Sequence, residues 1–400
     1  MTAGLPLEGL RVLEVGVFMA APFAAMQLAD LGATVLKIET VDTGDPVRAS
    51  GPFVAGESSP HLRLNRNKRS VAMDLKTEAG RTAFLRLVED ADVVVENLRP
   101  GAMRRLGLGY QQVREVNPAV VYASASGFGQ DGPLADLPGL DIMAQARGGL
   151  MSITGHPDGP PAKVGVPVCD LVCGLYVALA VVAALRDRDR TGEGQYIDVS
   201  LLESGVSLAV WEAGRWFATG EVGRPLGSAH QSQAPYQAVR TADGWVTVGA
   251  ITPKTWSGFC NALALDDLLV DERYADSSRR HDRRAELLTL IEERTSALTT
   301  AAVLSSLQEA GVPCAPIADY GQVFTDQHLA ARDFFWDAPH PTADGVRQLG
   351  SPMRFSRSPT QRADAGPVLG AHTRAALAES GFTDAEIDAL VAADAVMERS

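Results

Sequence analysis

Short apolar runs alternate with helical spacing through the first two hundred residues, and this alternation constrains the fold more than any other feature. Arg11 to Val15 is an apolar run, Pro22 to Leu31 has helical periodicity, and Thr34 to Glu39 is β-rich again. A βαβ unit of this kind requires parallel strands joined by a right-handed crossover. The pattern continues with a helix at Thr77 to Glu89, a strand at Asp92 to Glu96, a helix at Tyr110 to Val116 and a strand at Ala119 to Ser124. A helix over Leu171 to Arg188, a turn at Thr191 to Gly194 and a strand at Gln195 to Val199 follow. Residues 1–217 are therefore predicted to form a large α/β domain around a parallel sheet.

The texture then changes. Residues 218–235 are rich in Gly, Ser and Gln without periodicity and read as a linker or loop. Residues 236–325 predict a smaller α+β domain: a hairpin from Tyr236 to Ala250 turning at Asp243-Gly244, then helices near 254–264, 282–297 and 299–310. The C-terminal stretch 326–400, with a strand-like Gln348 to Phe355 and a helix near 382–392, is expected to return and pack on the large domain.

With 46% hydrophobic and 21% charged residues, the chain can bury a sizeable core. Its net charge of −13 argues against a nucleic-acid partner, which needs clustered Lys and Arg, yet leaves room for a small anion bound by local charge. Four cysteines make no disulfide framework, and Met1 to Leu10 lacks the pattern of an export signal. Val164 to Leu185 imitates a membrane span, but Pro167 and Gly174 interrupt it, and a buried core helix is the better reading. A cytoplasmic protein without a membrane partner is the expectation.

Candidate chemistry gathers where strands end. Gly16 to Pro22 follows the first strand, where an open α/β sheet presents a ligand site, but it lacks the G-x-G-x-x-G of a dinucleotide fingerprint. No NAD site is expected, although a helix N-terminus there still suits an anion. Two basic clusters, Asn65 to Ser70 and Asn97 to Gly101 with Arg104 and Arg105, read either as phosphate-binding loops or as solvated charged loops. Asp170 is the lone charge between two apolar runs. Such a carboxylate reads as the N-cap of a helix starting at Leu171 or as a catalytic group, and the two are compatible, since cap amides and the helix dipole would keep it ionised. Cys169 and Cys173 lack a neighbouring His to activate them, and the seven histidines show no metal-ligand spacing.

Taken in order, these segments resemble the class III CoA-transferases, the group that includes formyl-CoA, carnitine and bile-acid CoA-transferases and the α-methylacyl-CoA racemases. The matching residues include Leu7 to Glu14, Leu28 to Glu39, Asn65 to Ser70, Asp74 to Lys76, Asp92 to Gly101, Ser126 to Gly129, Asp170, Thr191 to Gln195, Gly311 to Pro313 and Pro367 to Thr373. The resemblance implies a Rossmann-like large domain, an interlocked homodimer, and CoA or acyl-CoA as substrate together with a small carboxylic acid, with no metal. It implies Asp170 as nucleophile, passing through an acyl-aspartyl anhydride and an aspartyl-CoA thioester. It places CoA contacts at Met19, Ala20, Thr40, Met73, Asp74, Leu75, Lys76, Asn97, Leu98, Arg99, Arg105 and the stretch from Pro138 to Asp141. Departures narrow this. Met19, Thr40 and Pro138 replace polar residues of formyl-CoA transferase, and that enzyme's glycine loop has no counterpart in residues 218–250. The racemase branch has a His where Leu140 stands and a Glu where Thr252 stands, so racemisation is the alternative activity, and a non-catalytic acyl-CoA binder is another.

Overall fold

A computed structural model describes residues 4–399. Contacts divide them into two compact units. The first comprises residues 4–150, 163–218 and 328–399; the second comprises 151–162 and 219–327. The sequence reading placed 151–162 in the large domain, whereas these residues group with the second unit.

The first unit is built on a seven-stranded sheet: β1 (Arg11–Val15), β2 (Thr34–Glu39), β3 (Lys68–Met73), β4 (Val93–Glu96), β5 (Val121–Ser126), β6 (Tyr196–Ser200) and β7 (Val396–Met397). Their spatial order is β7-β3-β2-β1-β4-β5-β6. The first six strands are parallel, and β7 runs antiparallel to β3 at the edge. The order 3-2-1-4-5-6 is that of the Rossmann fold, with its switch point between β1 and β4. Helix α1 (Ala20–Asp30) crosses from β1 to β2, and α2 (Glu78–Glu89) from β3 to β4. Helices α3 (Asp141–Arg147) and α4 (Val168–Thr191) lie in the long connection from β5 to β6.

Strand alternation sorts the apolar side chains onto two faces. Val12, Val35, Val93, Val95 and Ala123 join α1 and α4 in one layer. Leu13, Leu36, Val71, Val94 and Tyr122 join α2 and the C-terminal helices in the other. Gly174 lets α4 approach α1 closely, since a Cβ there would stand 2.8 Å from the Ala20 carbonyl oxygen. One side of α4 is buried through Cys169, Cys173, Val177 and Val181. The other side is not: Leu175 and Leu179 are 50% and 65% exposed. The reading of a wholly buried helix is thereby corrected. By length and composition alone α4 passes as a membrane-crossing helix.

Two further corrections concern strands. Of residues 65–70 only 65–67 form a turn, because Lys68 already begins the buried strand β3; its charges hid the apolar Val71–Met73 pattern. Near the C-terminus the strand is Val346–Leu349, paired with Phe335–Ala338, and pairing stops before Phe355.

The charges of β3 are consumed inside the fold. Lys37 on β2 donates to Glu14 Oε1 at 2.7 Å and to the Gly16 carbonyl at 2.9 Å, and lies 2.9 Å from Asp45 Oδ2. Lys68 donates to the Pro22 carbonyl and Asn65 Oδ1 and stands 2.7 Å from Glu14 Oε2. Arg66 pairs with Asp30, and Glu39 takes a two-pronged contact from Arg48 at 2.8 and 2.7 Å. Burial pushes the Glu39 carboxyl up, but the Arg48 guanidinium and the charge of Lys37 outweigh it and hold it at about 2.

The second unit has an antiparallel three-stranded sheet, Cys314–Pro316, Trp245–Gly249 and Tyr236–Arg240 in that spatial order. Helices Pro253–Leu263, Arg284–Thr295 and Thr300–Glu309 contribute Phe259, Leu263, Leu287, Ile291 and Val303 to its core.

Removing one member of a buried charge network leaves its partners uncompensated. Lys37→Ala is expected to cost about 3–5 kcal/mol, against under about 1 kcal/mol for Arg347→Ala in its exposed pair with Asp337. Urea unfolding checks this through the midpoints. Glu39 titrates below its ordinary 4.5, so its contribution is complete above that pH and is lost as pH falls towards 2. Thermal melts across that window are expected to show a declining midpoint.

Candidate active site

The β1–α1 loop is the first wall of the site. Val17 and Asn97, which follows β4, exchange two hydrogen bonds at 2.8 Å, locking together the ends of the two strands at the switch point. Phe18 holds a left-handed backbone with φ 54°, a costly conformation for a residue with a side chain, and its amide donates to Asp45 Oδ1 at 3.1 Å. Asp45 is itself held by Lys37 and, through its amide, by Glu39. The buried charges thus support the loop. Helix α1 opens at Met19 without a side-chain cap.

The second wall is the start of α4. The helix begins at Val168 with Pro167 as its cap position, so Asp170 lies in the first turn and is not the N-cap. The capping carboxylate comes instead from α3. Asp141 Oδ1 accepts the amides of Cys169 at 2.8 Å and Asp170 at 3.4 Å. Asp141 Oδ2 accepts from Gln145 Nε2 at 2.6 Å, and Gln145 Oε1 accepts the Val164 amide at 2.9 Å. A negative group at a helix N-terminus satisfies its free amides and complements its dipole.

Between these walls lies a cavity of about 600 Å³ lined by Phe18, Met19, Ala20, Leu140, Lys163 and Asp170, among others. Its floor includes Gly127 and Gly139, whose backbones touch so closely that a Cβ on either would stand 2.6 Å from the other's Cα. Glycine is required at both. A smaller cavity of about 160 Å³ shares Val17 with the first and is lined by Thr40, Met73, Asp74, Leu75, Lys76 and Leu98.

The predicted site residues therefore separate into groups. Met19, Ala20, Asn97, Asp141 and Asp170 line the larger cavity, and Thr40, Met73 to Lys76 and Leu98 line the smaller one. Arg105 lines a third cavity with Arg104, Tyr110 and Glu96, while Arg99 is exposed and lines none of the three. Of the two basic clusters, the second keeps Arg99, Arg104 and Arg105 exposed. In the first, Arg66 and Lys68 are buried and paired, and Arg69 pairs with Glu379.

Electrostatics single out Asp170. Burial, and then the charge of Asp141, raise its carboxyl to about 7, so it is not held fully ionised as the helix dipole alone suggested. Cys169 is pushed up to about 11 and Cys173 to about 12, chiefly by burial, which leaves both thiols protonated at neutral pH. Glu96, at the end of β4, is also raised to about 7 by burial. The sequence reading passed over Glu96 and the capping role of Asp141, although the acid at the end of an all-valine strand was a signal for the former. Among the described residues, no three His, Cys, Asp or Glu side chains come together to hold a metal ion.

A doubly wound α/β unit, a crevice at its switch point and a carboxylate of raised pKa in that crevice place the candidate site at the carboxyl ends of the strands. Residues 7–373 match the family model described as CoA-transferase family III, and the chain belongs to that family. It is 37% identical to the succinyl-CoA:glutarate CoA-transferase of Mus musculus over 94% of this chain and 86% of that protein. The succinyl-CoA:mesaconate CoA-transferase of Haloarcula hispanica is also 37% identical, over 94% of this chain and 96% of its own. A crystal structure of a CAIB/BAIF family protein from Brucella suis superposes with a TM-score of 0.86 at 37% identity, covering 94% of this chain and all of that one.

Asp141→Asn keeps an oxygen on the Cys169 amide but removes the charge beside Asp170. The Asp170 carboxyl is expected to fall below about 7 in this variant, which a carbon-13 NMR titration of labelled aspartate measures.

Proposed function

We propose that this enzyme moves CoA from an acyl-CoA to a small carboxylic acid, with Asp170 as the covalent nucleophile. The observation that carries the reading is Asp170 itself: a half-buried acid in the first turn of a helix, its carboxyl raised to about 7, lining a cavity that shares Val17 with a second, smaller one.

In this reading the nucleotide end of CoA occupies the smaller cavity, near Thr40, Met73 to Lys76 and Leu98. The exposed Lys76, Arg99 and Arg105 supply charge for its phosphates. The thioester reaches past Val17 into the larger cavity, where Met19 and Ala20 bring the uncapped start of α1 close to it. Amides at such a helix start favour the oxyanion of an acyl-transfer step.

The chemistry then runs in four balanced exchanges. An Asp170 carboxylate oxygen attacks the thioester carbonyl, and the C–S bond breaks to give an acyl-aspartyl anhydride and CoA thiolate. The thiolate attacks the Asp170 carbonyl carbon, which releases the donor acid as carboxylate and leaves an aspartyl-CoA thioester. The acceptor carboxylate attacks that thioester and frees the thiolate again. Thiolate attack on the acceptor's acyl carbon then yields the new acyl-CoA and restores Asp170. Each step exchanges one acyl bond for another, and both the anhydride and the thioester are open to hydrolysis, so the site must shield these intermediates from water.

The named relatives act on succinyl-CoA with glutarate or mesaconate, all short dicarboxylates, and this supports acids of that class here. A homodimer belongs to the same reading. The exposed apolar side chains Leu175, Leu179, Val210 and Phe217 supply a surface for a second copy to cover.

Asp170→Ala is expected to abolish CoA transfer while leaving CoA binding intact; turnover by this variant rules the mechanism out. The wild-type rate is expected to rise with pH through about 7 as Asp170 loses its proton. Leu140 lines the cavity beside Asp141 where the racemase branch has its His. No α-proton exchange with D2O is therefore expected on a 2-methylacyl-CoA, and proton NMR reads this directly.

A further inference from the structure

The cavity that holds Asp170 is short of positive charge. Among the described residues, Lys163 is the one Lys or Arg that lines it. Lys37 and Lys68 are committed to Glu14, Arg48 to Glu39 and Arg66 to Asp30, and the exposed Lys76, Arg99, Arg104 and Arg105 do not line this cavity. Lys163 is exposed and forms no ion pair among the described residues, and its ammonium donates to the neighbouring Val164 carbonyl at 3.1 Å. An ammonium has three donors, so this bond uses one of them.

The backbone beside Lys163 is anchored by the same helix that anchors the start of α4. Gln145 of α3 accepts the Val164 amide, holding the backbone next to Lys163. One turn earlier on α3, Asp141 takes the amides of Cys169 and Asp170. The Gln145–Asp141 bond at 2.6 Å joins the two anchors. Lys163 and Asp170 are thus referenced to one rigid element, which is how a site sets a distance between two groups of a ligand.

The charge balance says what that cation is for. A monocarboxylate presents one group, and that group must go to the nucleophile. A dicarboxylate brings a second negative charge into a cavity that already holds Asp141 and Asp170, and like charges repel unless a cation intervenes. We propose that Lys163 binds the distal carboxylate of a short dicarboxylic acid, or of its CoA half-thioester, and so sets the preference for dicarboxylates over monocarboxylates. The assignment rests on the CoA-transfer reading for its reaction, but not for its binding.

Two measurements separate these. Succinate and butyrate have the same carbon count and differ in the distal group, so their affinities for the full chain, by NMR titration, isolate it. The wild type is expected to prefer succinate; Lys163→Met is expected to lower the succinate-to-butyrate affinity ratio about tenfold or more, and Lys163→Arg to restore most of it. The same ratio in kcat/KM, with the two acids as acceptors, is expected to fall in parallel. Equal losses for both acids, or an unchanged ratio in Lys163→Met, overturn the assignment. A lysine-dependent binding preference in a protein that transfers CoA to no acid upholds the Lys163 assignment and overturns the CoA-transfer reading.

Discussion

Glu14 lies at the middle of the sheet with both its oxygens occupied by lysines from β2 and from β3 beyond it. Lys37 stands across from it on β2, and Lys68 reaches it from β3. Burial alone would lift the Glu14 carboxyl; the two ammonium groups reverse that and hold it below its ordinary value. Such a network adds little net stability compared with an apolar core, but losing one member is costly, and it therefore fixes strand register and partner choice. Its reach extends to the ligand side. Lys37 grips the Gly16 carbonyl and Asp45, Asp45 grips the Phe18 amide, and Lys68 grips the Pro22 carbonyl on α1. The strained β1–α1 loop is held by charges lying beneath it.

The second determinant is the cap that α3 places on α4. Asp141 anchors the start of the helix carrying Asp170, and its charge adds to the larger effect of burial in raising that residue's pKa. A carboxylate titrating near neutrality is a better nucleophile than one held strongly ionised by hydrogen bonds, and still has an ionised fraction at working pH. One side chain thus contributes to both positioning and reactivity.

Much of this was legible from the residues. The alternation from Arg11 to Val199 located five of the six parallel strands and the helices between them, because apolar period and length are local properties. The missing strand, β3, begins Lys-Arg-Ser, and its buried lysine is explained only by Glu14, 54 positions away in the chain by count from residue 14 to residue 68. The same nonlocality puts Arg66 and Lys68, which read locally as either phosphate-binding or solvated, into core ion pairs. Asp170 stood out because a lone charge in an apolar run is a local signal. Asp141 as the donor of its cap did not, since nothing in the spacing of residues 141 and 170 reveals that two helices meet there. The exposure of Leu175 and Leu179 was equally hidden, as composition cannot say which side of an apolar helix is covered.

The central claim is that Asp170 becomes covalently modified during turnover. Mixing the protein with succinyl-CoA, quenching within the turnover time and mapping peptides by mass spectrometry tests it directly. The account predicts a mass increase corresponding to CoA, less one water, on the peptide containing Asp170, discharged by adding an acceptor acid. An unmodified Asp170 under conditions of active transfer, or an adduct confined to another residue, contradicts it.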